Sequence, residues 1–127
     1  MGKVAVGVVI KEDKVLVIKR AKSDGGFWAF PGGEIEKGKT IRQTVVDEVK
    51  EETGVVCRVV KRLGSRVHPL NGKPISYWQC EYVSGTAMVT VPVEIEQVVW
   101  LSAAQAIKQL GPTLFAPVKA LLTKLAL

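Results

Sequence analysis

Glu48, Glu51 and Glu52 stand at i, i+3 and i+4 in the run Asp47-Glu48-Val49-Lys50-Glu51-Glu52. On a helix that spacing sends the three carboxylates to one side. Like charges held so close repel one another. The arrangement makes sense if a hard cation such as Mg²⁺ sits among them, because such ions take oxygen ligands. Three carboxylates and a carbonyl from the glycine turn upstream can hold Mg²⁺ and leave positions for water and phosphate oxygens. A metal so placed neutralises phosphate and acidifies a water, and a neighbouring carboxylate can take the water's proton as general base. That combination suits hydrolysis of a phosphoanhydride.

A helix has to present these acids. Thr40 can start it, since Thr40-Ile41-Arg42-Gln43 fits a capping box, and Gly54 can end it in a left-handed conformation. At about 100° per residue, with Ile41 at zero, Val45 lies near 40° and Val49 near 80°. On the same wheel Glu48 lies roughly 20° to one side of Ile41 and Glu52 roughly 20° to the other. Both therefore sit in or beside the apolar stripe. Carboxylates there face a desolvation cost of several kcal/mol unless something neutralises them. A solvated charged face would have placed them opposite the valines.

The rest of the chain supplies strands and two more helices. Val4–Ile10 and Lys14–Lys19 read as a hairpin, and Phe27–Phe30 as a short strand stopped by Pro31-Gly32-Gly33. Val55–Leu63 and Ile75–Val83 read as strands, separated by a loop over Gly64–Lys73, and Met88–Val91 is a further candidate. Glu94–Leu101 reads as a strand entering a second capping box, Ser102-Ala103-Ala104-Gln105, and the last helix covers about Phe115 to Leu125. Strands and helices mix without regular βαβ alternation. The expected class is α+β, a mixed β-sheet sandwiched between helices in three layers (α/β/α).

The chain of 127 residues is expected to form a single domain (1–127) with one core, and 47% hydrophobic content excludes a disordered polymer. No apolar run approaches a membrane span, and no signal-peptide pattern opens the sequence. Cys57 and Cys80 lie in apolar segments and read as free buried thiols, which makes a reducing cytoplasmic setting the default. Net charge is +6, but residues 33–55 hold six acids against four bases, leaving +8 on the remainder. An acidic island in a basic protein suits a cation site beside a phosphate-attracting surface. The balance also admits nucleic acid as a partner, though no helix-turn-helix, zinc or aromatic RNA-binding signature accompanies it.

From Gly33 to Val55 the sequence resembles the Nudix box, with Gly33, Glu48, Val49, Glu51, Glu52, Gly54 and Val55 in register. Trp28-Ala29-Phe30-Pro31-Gly32-Gly33 resembles the strand and turn that precede the box, and Glu94 to Trp100 a later family segment in which an acid comes shortly before a tryptophan. The resemblance to MutT-like Nudix hydrolases implies cleavage of a nucleoside diphosphate derivative with Mg²⁺ or Mn²⁺. Carried over by position, Glu48, Glu51 and Glu52 would be metal ligands with the Gly32 carbonyl, and Glu48 could instead be the base. Glu94, with Glu96 behind it, is the candidate for a further ligand. Arg20 matches a substrate-contacting arginine. Phe115 stands where family members that read oxidised guanine carry an asparagine, so it could stack on a base but not read its edge. The family also often forms homodimers.

Two positions depart from the box. Lys39 stands where the family has glutamate and Asp47 where it has arginine, a reversal of signs that would keep a pair if the loop before Thr40 folds back. His68, the lone histidine, sits in a turn-rich loop beside Arg66, within reach of phosphate or acid–base work. Tyr77 and Trp78 are neighbours on a strand and must point to opposite faces, so one of them packs inward while the other, taken as Trp78, could line a nucleotide pocket. A (deoxy)nucleoside triphosphate is the first expected substrate and a nucleotide sugar such as ADP-ribose the second. The opposing class is a catalytically weak nucleotide- or RNA-binding protein.

Overall fold

The computed structural model describes residues 2–127. β1 (Val4–Lys11) and β2 (Lys14–Arg20) form the first hairpin, and β3 (Trp28–Ala29) and β4 (Gly32–Glu34) follow. Then come α1 (Ile41–Thr53), β5 (Val56–Val67), β6 (Pro74–Ser84), β7 (Ile95–Ser102), α2 (Ala103–Leu110) and α3 (Ala116–Leu125). The strands make one mixed sheet with the path β3-β2-β1-β6-β5, in which β4 also pairs with β1 and β7 with β2. β1 runs parallel to β6 and antiparallel to β2 and β4.

Alternation along the strands builds the sandwich. Ala5 and Val9 of β1 and Leu16 of β2 face α1, where they meet Val45 and Val49. Val6, Val8, Val15 and Val17 face the other way, onto Ala106 and Leu110 of α2 and Val118 and Leu122 of α3. The α+β class and the three layers are as the sequence implies. Cys57 and Cys80 are free and buried in the α1 layer.

The hairpin does not stay zipped. β1 and β2 are in register only at Ile10↔Val15 and Lys11↔Lys14. Toward its start β1 exchanges that neighbour for β4, through Val4↔Glu34, Ala5↔Gly33 and Val6↔Gly32. β2 meanwhile continues against β7, with a bulge at Lys19/Arg20 that re-aims the end of the strand. Gly32 permits the exchange, because a Cβ there would stand 2.3 Å from the Ala5 carbonyl oxygen. The Pro-Gly-Gly turn that reads as a strand stop is thus the entry to a strand of its own.

Other elements depart from the sequence reading for identifiable reasons. β5 does not end at Leu63. It runs to Val67 because bulges, one of them between Arg62 and Gly64, keep it paired with β6. Met88–Val91 forms no strand. That segment is tied instead to the end of α1, with the Met88 N–H donating to the Thr53 carbonyl at 3.0 Å and the Thr90 hydroxyl to the Glu51 carbonyl. Thr40 caps α1 through the Gln43 N–H at 3.1 Å, while the full reciprocal box forms only at Ser102–Gln105. Ile41, the wheel's apolar reference, is exposed.

The adjoining glycines should separate in mutagenesis. Gly32→Ala drives a methyl into the backbone of β1 and should lower the melting temperature sharply, by the equivalent of about 2 kcal/mol or more. Gly33→Ala meets only the movable Glu48 carboxylate, 2.7 Å from its would-be Cβ, and should cost far less. Equal melting temperatures for the two variants would contradict the assigned close approach of β1 and β4.

Candidate active site

The splayed hairpin opens onto a cleft of about 620 Å³ whose lining includes Arg20, Glu48, Glu52 and Glu94. Each acid arrives on a different support. Glu52 sits in the last turn of α1, 6% exposed, and its Oε1 accepts the Gly32 N–H at 2.8 Å. Its other oxygen lies 3.5 Å from the Arg20 guanidinium, which also reaches Asp24 at 3.5 Å. Glu48 is one turn earlier and half-buried, and its carboxylate occupies the space a side chain at Gly33 would fill. It has no hydrogen bond or ion pair among the described residues. Glu94 precedes β7 and is positioned by its carbonyl, which accepts the Ala21 N–H at 2.9 Å.

Burial and mutual repulsion raise two of these acids. Burial pushes the Glu52 carboxyl from 4.5 up to about 7, although Arg20 and the Gly32 N–H pull it down and Glu48 and Glu94 add to the rise. Glu48 is raised as well, first by burial and then by Glu51 and Glu36. Glu51 is exposed and outside the cleft lining, so it acts on Glu48 by charge across one turn. Among the described residues no three acidic, histidine or cysteine side chains yet stand at metal-binding spacing, since Glu52 is turned toward Gly32 and Arg20. The donor set is nonetheless oxygen-only, its acids outnumber Arg20, and Glu48 is unspent. These residues fit a hard divalent cation.

Of the other sequence candidates, His68 and Phe115 line the cleft. Phe115 stacks on Tyr77 with ring centroids 4.7 Å apart. Trp78 does not line the cleft, which corrects the expectation for that residue. The alternation of β6 turns it to the α1 face, where its indole N–H donates to Ser76 and Arg42 sits 5.9 Å above its ring. Tyr77 takes the cleft position instead. Glu96 is spent on Lys19 at 3.7 Å, outside the lining, leaving Glu94 as the acid that reaches the cleft. Arg66 and Trp28, not singled out as site residues from sequence, also line it. Had β5 been followed past Gly64, its two-residue period would have put Arg66 and His68 on one side.

The inverted pair is closed. Lys39 Nζ lies 3.1 Å from Asp47 and 3.6 Å from Glu36, and Gly38 (φ +90°) turns the loop back to make this reach. The Asp47 contact raises the Lys39 pKa. The two departures from the box thus answer each other.

The sequence profile of the NUDIX domain matches residues 1–122. The chain belongs to the Nudix family. It is 30% identical over 112 residues to the CTP pyrophosphohydrolase of Escherichia coli, covering 85% of this chain and 81% of that one. It is 44% identical over 59 residues to the ADP-ribose pyrophosphatase of Methanocaldococcus jannaschii, which is 46% of this chain. That match spans 35% of the archaeal protein's length. The solution structure of the E. coli ORF135 protein superposes with a TM-score of 0.72 at 26% identity, over 97% of this chain and 89% of that one. No helix among the described residues is long and apolar enough to cross a membrane.

Two measurements test this Nudix site. A carboxyl whose folded pKa is raised destabilises the fold where it is charged, so stability falls as pH rises from about 4.5 toward 7 and stays low above. With metal chelated, Glu52→Gln should therefore melt above the parent at pH 8 by the equivalent of roughly 1–3 kcal/mol. The gain should vanish near pH 4, and no gain at pH 8 would mean that Arg20 already neutralises Glu52. For the inverted pair, Asp47→Arg should lower the melting temperature and turnover, and adding Lys39→Glu should restore both. A double variant no better than the single one would deny the pair any supporting role.

Proposed function

We propose that this Nudix hydrolase cleaves a phosphoanhydride bond of a nucleotide, converting a (deoxy)nucleoside triphosphate to the monophosphate and pyrophosphate. The observation that carries the reading is the convergence of Glu48, Glu52 and Glu94 on one cleft where, among the described residues, Arg20 on Glu52 is the ion pair that any of them makes. Glu48, Glu51, Glu52, Glu94 and the Gly32 carbonyl would hold Mg²⁺ or Mn²⁺. The ion would neutralise the pyrophosphate and make water a competent nucleophile.

The chain's residues supply the rest. Water oxygen forms the new bond to phosphorus, the bridging P–O bond breaks, and the water's proton passes to a carboxylate. Glu48 suits that base, since it is half-buried and otherwise unpartnered, and burial followed by Glu51 raises its pKa above the usual carboxylate value. Arg20, held on Glu52 and Asp24, is placed to contact a phosphate oxygen of the substrate. A triphosphate is favoured over a nucleotide sugar because the E. coli CTP pyrophosphohydrolase aligns along most of this chain, whereas the archaeal ADP-ribose pyrophosphatase matches under half of it. Free buried cysteines suit work in a reducing cytoplasm.

A panel of nucleotides with Mg²⁺ or Mn²⁺ tests the reading through pyrophosphate release. Glu48→Gln and Glu52→Gln should each lower kcat by roughly 10²-fold or more. Faster cleavage of ADP-ribose than of every triphosphate would move the substrate to the nucleotide sugars. Absence of turnover across the panel would remove the hydrolytic assignment, and full activity in Glu52→Gln would remove Glu52 from the site that performs it.

A further inference from the structure

Arg20 is anchored by its backbone and loose at its tip. Its N–H donates to the Phe27 carbonyl at 2.9 Å, and β2 pairs it with Ile95 beyond the bulge. Its guanidinium makes no hydrogen bond among the described residues. One nitrogen, Nη1, lies 3.5 Å from a Glu52 oxygen and 3.5 Å from an Asp24 oxygen. A charge-assisted hydrogen bond would close to about 2.7–2.9 Å. Two carboxylates therefore hold the same nitrogen at equal length, and neither has captured it. They differ in setting, since the Glu52 side chain is 8% exposed and the Asp24 side chain 57%.

Asp24 is kept in place by its own turn. The Ala21 carbonyl accepts the Asp24 N–H at 2.8 Å and the Gly26 N–H at 3.0 Å, and Gly25 reverses the chain at φ +98°. The Ala21 N–H donates in turn to the Glu94 carbonyl, which ties this loop to the backbone of another acid of the cleft. Asp24 lines the same cleft as Glu52. Among the described residues its carboxylate has Arg20 as its one polar contact. The loop thus presents a fixed carboxylate to a movable cation.

We infer that Asp24 is a positioning residue that receives Arg20 when Glu52 turns to a divalent cation. Without metal, Arg20 is the counter-charge of Glu52. A divalent ion needs the same carboxylate, and a guanidinium left beside it would repel the ion. A small rotation of the long Arg20 side chain closes the Asp24 contact as it opens the Glu52 one, with no movement of the backbone. From the Asp24 side its unspent N–H groups remain free for a phosphate oxygen. Without Asp24, Arg20 has no other carboxylate to move to among the described residues and stays on Glu52 as a competitor. Two simpler roles would not involve Arg20: Asp24 could add negative charge to the cleft, or bind the ion itself. A double-mutant cycle separates these. The inference rests on the proposal that the cleft acids hold a divalent cation, and names the residue that clears Glu52 for it.

Titration of the nucleotide-free protein with Mn²⁺ at pH 8, with the free ion read by electron paramagnetic resonance, tests it. Asp24→Asn should weaken Mn²⁺ binding about fivefold. Asp24→Glu, which keeps the carboxylate, should stay within about twofold of the parent. On an Arg20→Gln background, Asp24→Asn should change the affinity by less than about twofold. Arg20→Met serves as the background if Arg20→Gln does not fold. An equal loss on both backgrounds would overturn the inference, because Asp24 would then act through its own charge or as a ligand. So would equal binding by the parent and Asp24→Asn, or no measurable binding by the parent. Nucleotide turnover decides the hydrolytic assignment separately. An active parent whose Asp24→Asn variant binds Mn²⁺ unchanged would refute the positioning role and leave that assignment standing.

Discussion

Glu52 is a carboxylate at the junction of helix and sheet, nearly closed off from water, and held by one backbone N–H and one arginine. Three elements are tied to it. The Gly32 N–H belongs to β4, Arg20 to the bulged end of β2, and Glu52 itself to the last turn of α1. A neutral side chain would pack there with less strain. The buried acid raises the energy of the fold where it is charged, and whatever neutralises that charge relieves the desolvation. The charge at this residue therefore costs stability, which the apolar layers on either side of the sheet offset.

The glycine pair before the helix shows how closely the backbone is fitted to that requirement. Gly32 lets β4 lie on β1, which brings its N–H to Glu52, and Gly33 leaves the volume that the Glu48 carboxylate fills. Neither residue has a positive φ, so conformational freedom is not the reason for glycine at either position. The reason is space, taken by backbone in one case and by a carboxylate in the other. The same turn thus sets the sheet register and the position of a candidate ligand.

Much of this was legible in the sequence, and the parts that were not share a cause. The acids at 48, 51 and 52, the cap at Thr40, the stop at Gly54 and the closure of Lys39 on Asp47 all follow from positions near one another in the chain. The wheel placed Glu52 inward beside Val45 and Val49, as found. What escaped depends on partners remote in sequence. β4 exists because β1 leaves β2, and β5 passes Gly64 because β6 lies alongside it. The choice between Tyr77 and Trp78 needed the sheet's orientation, which strand alternation alone leaves undetermined. The choice between Glu94 and Glu96 turned on Lys19, far upstream.

That division also bears on how one fold serves several substrates. The acids of α1 and the turn before them form a contiguous stretch, so their relative geometry survives changes elsewhere. Arg66, Tyr77, Thr113 and Phe115 come from two strands and the approach to the last helix, and none is fixed by its neighbours in sequence. The E. coli and archaeal relatives carry names that specify different nucleotides, and the archaeal match covers less than half of this chain. The cleft thus joins acids drawn mostly from one continuous segment to side chains assembled from distant ones, an arrangement in which the second set can vary with little effect on the first.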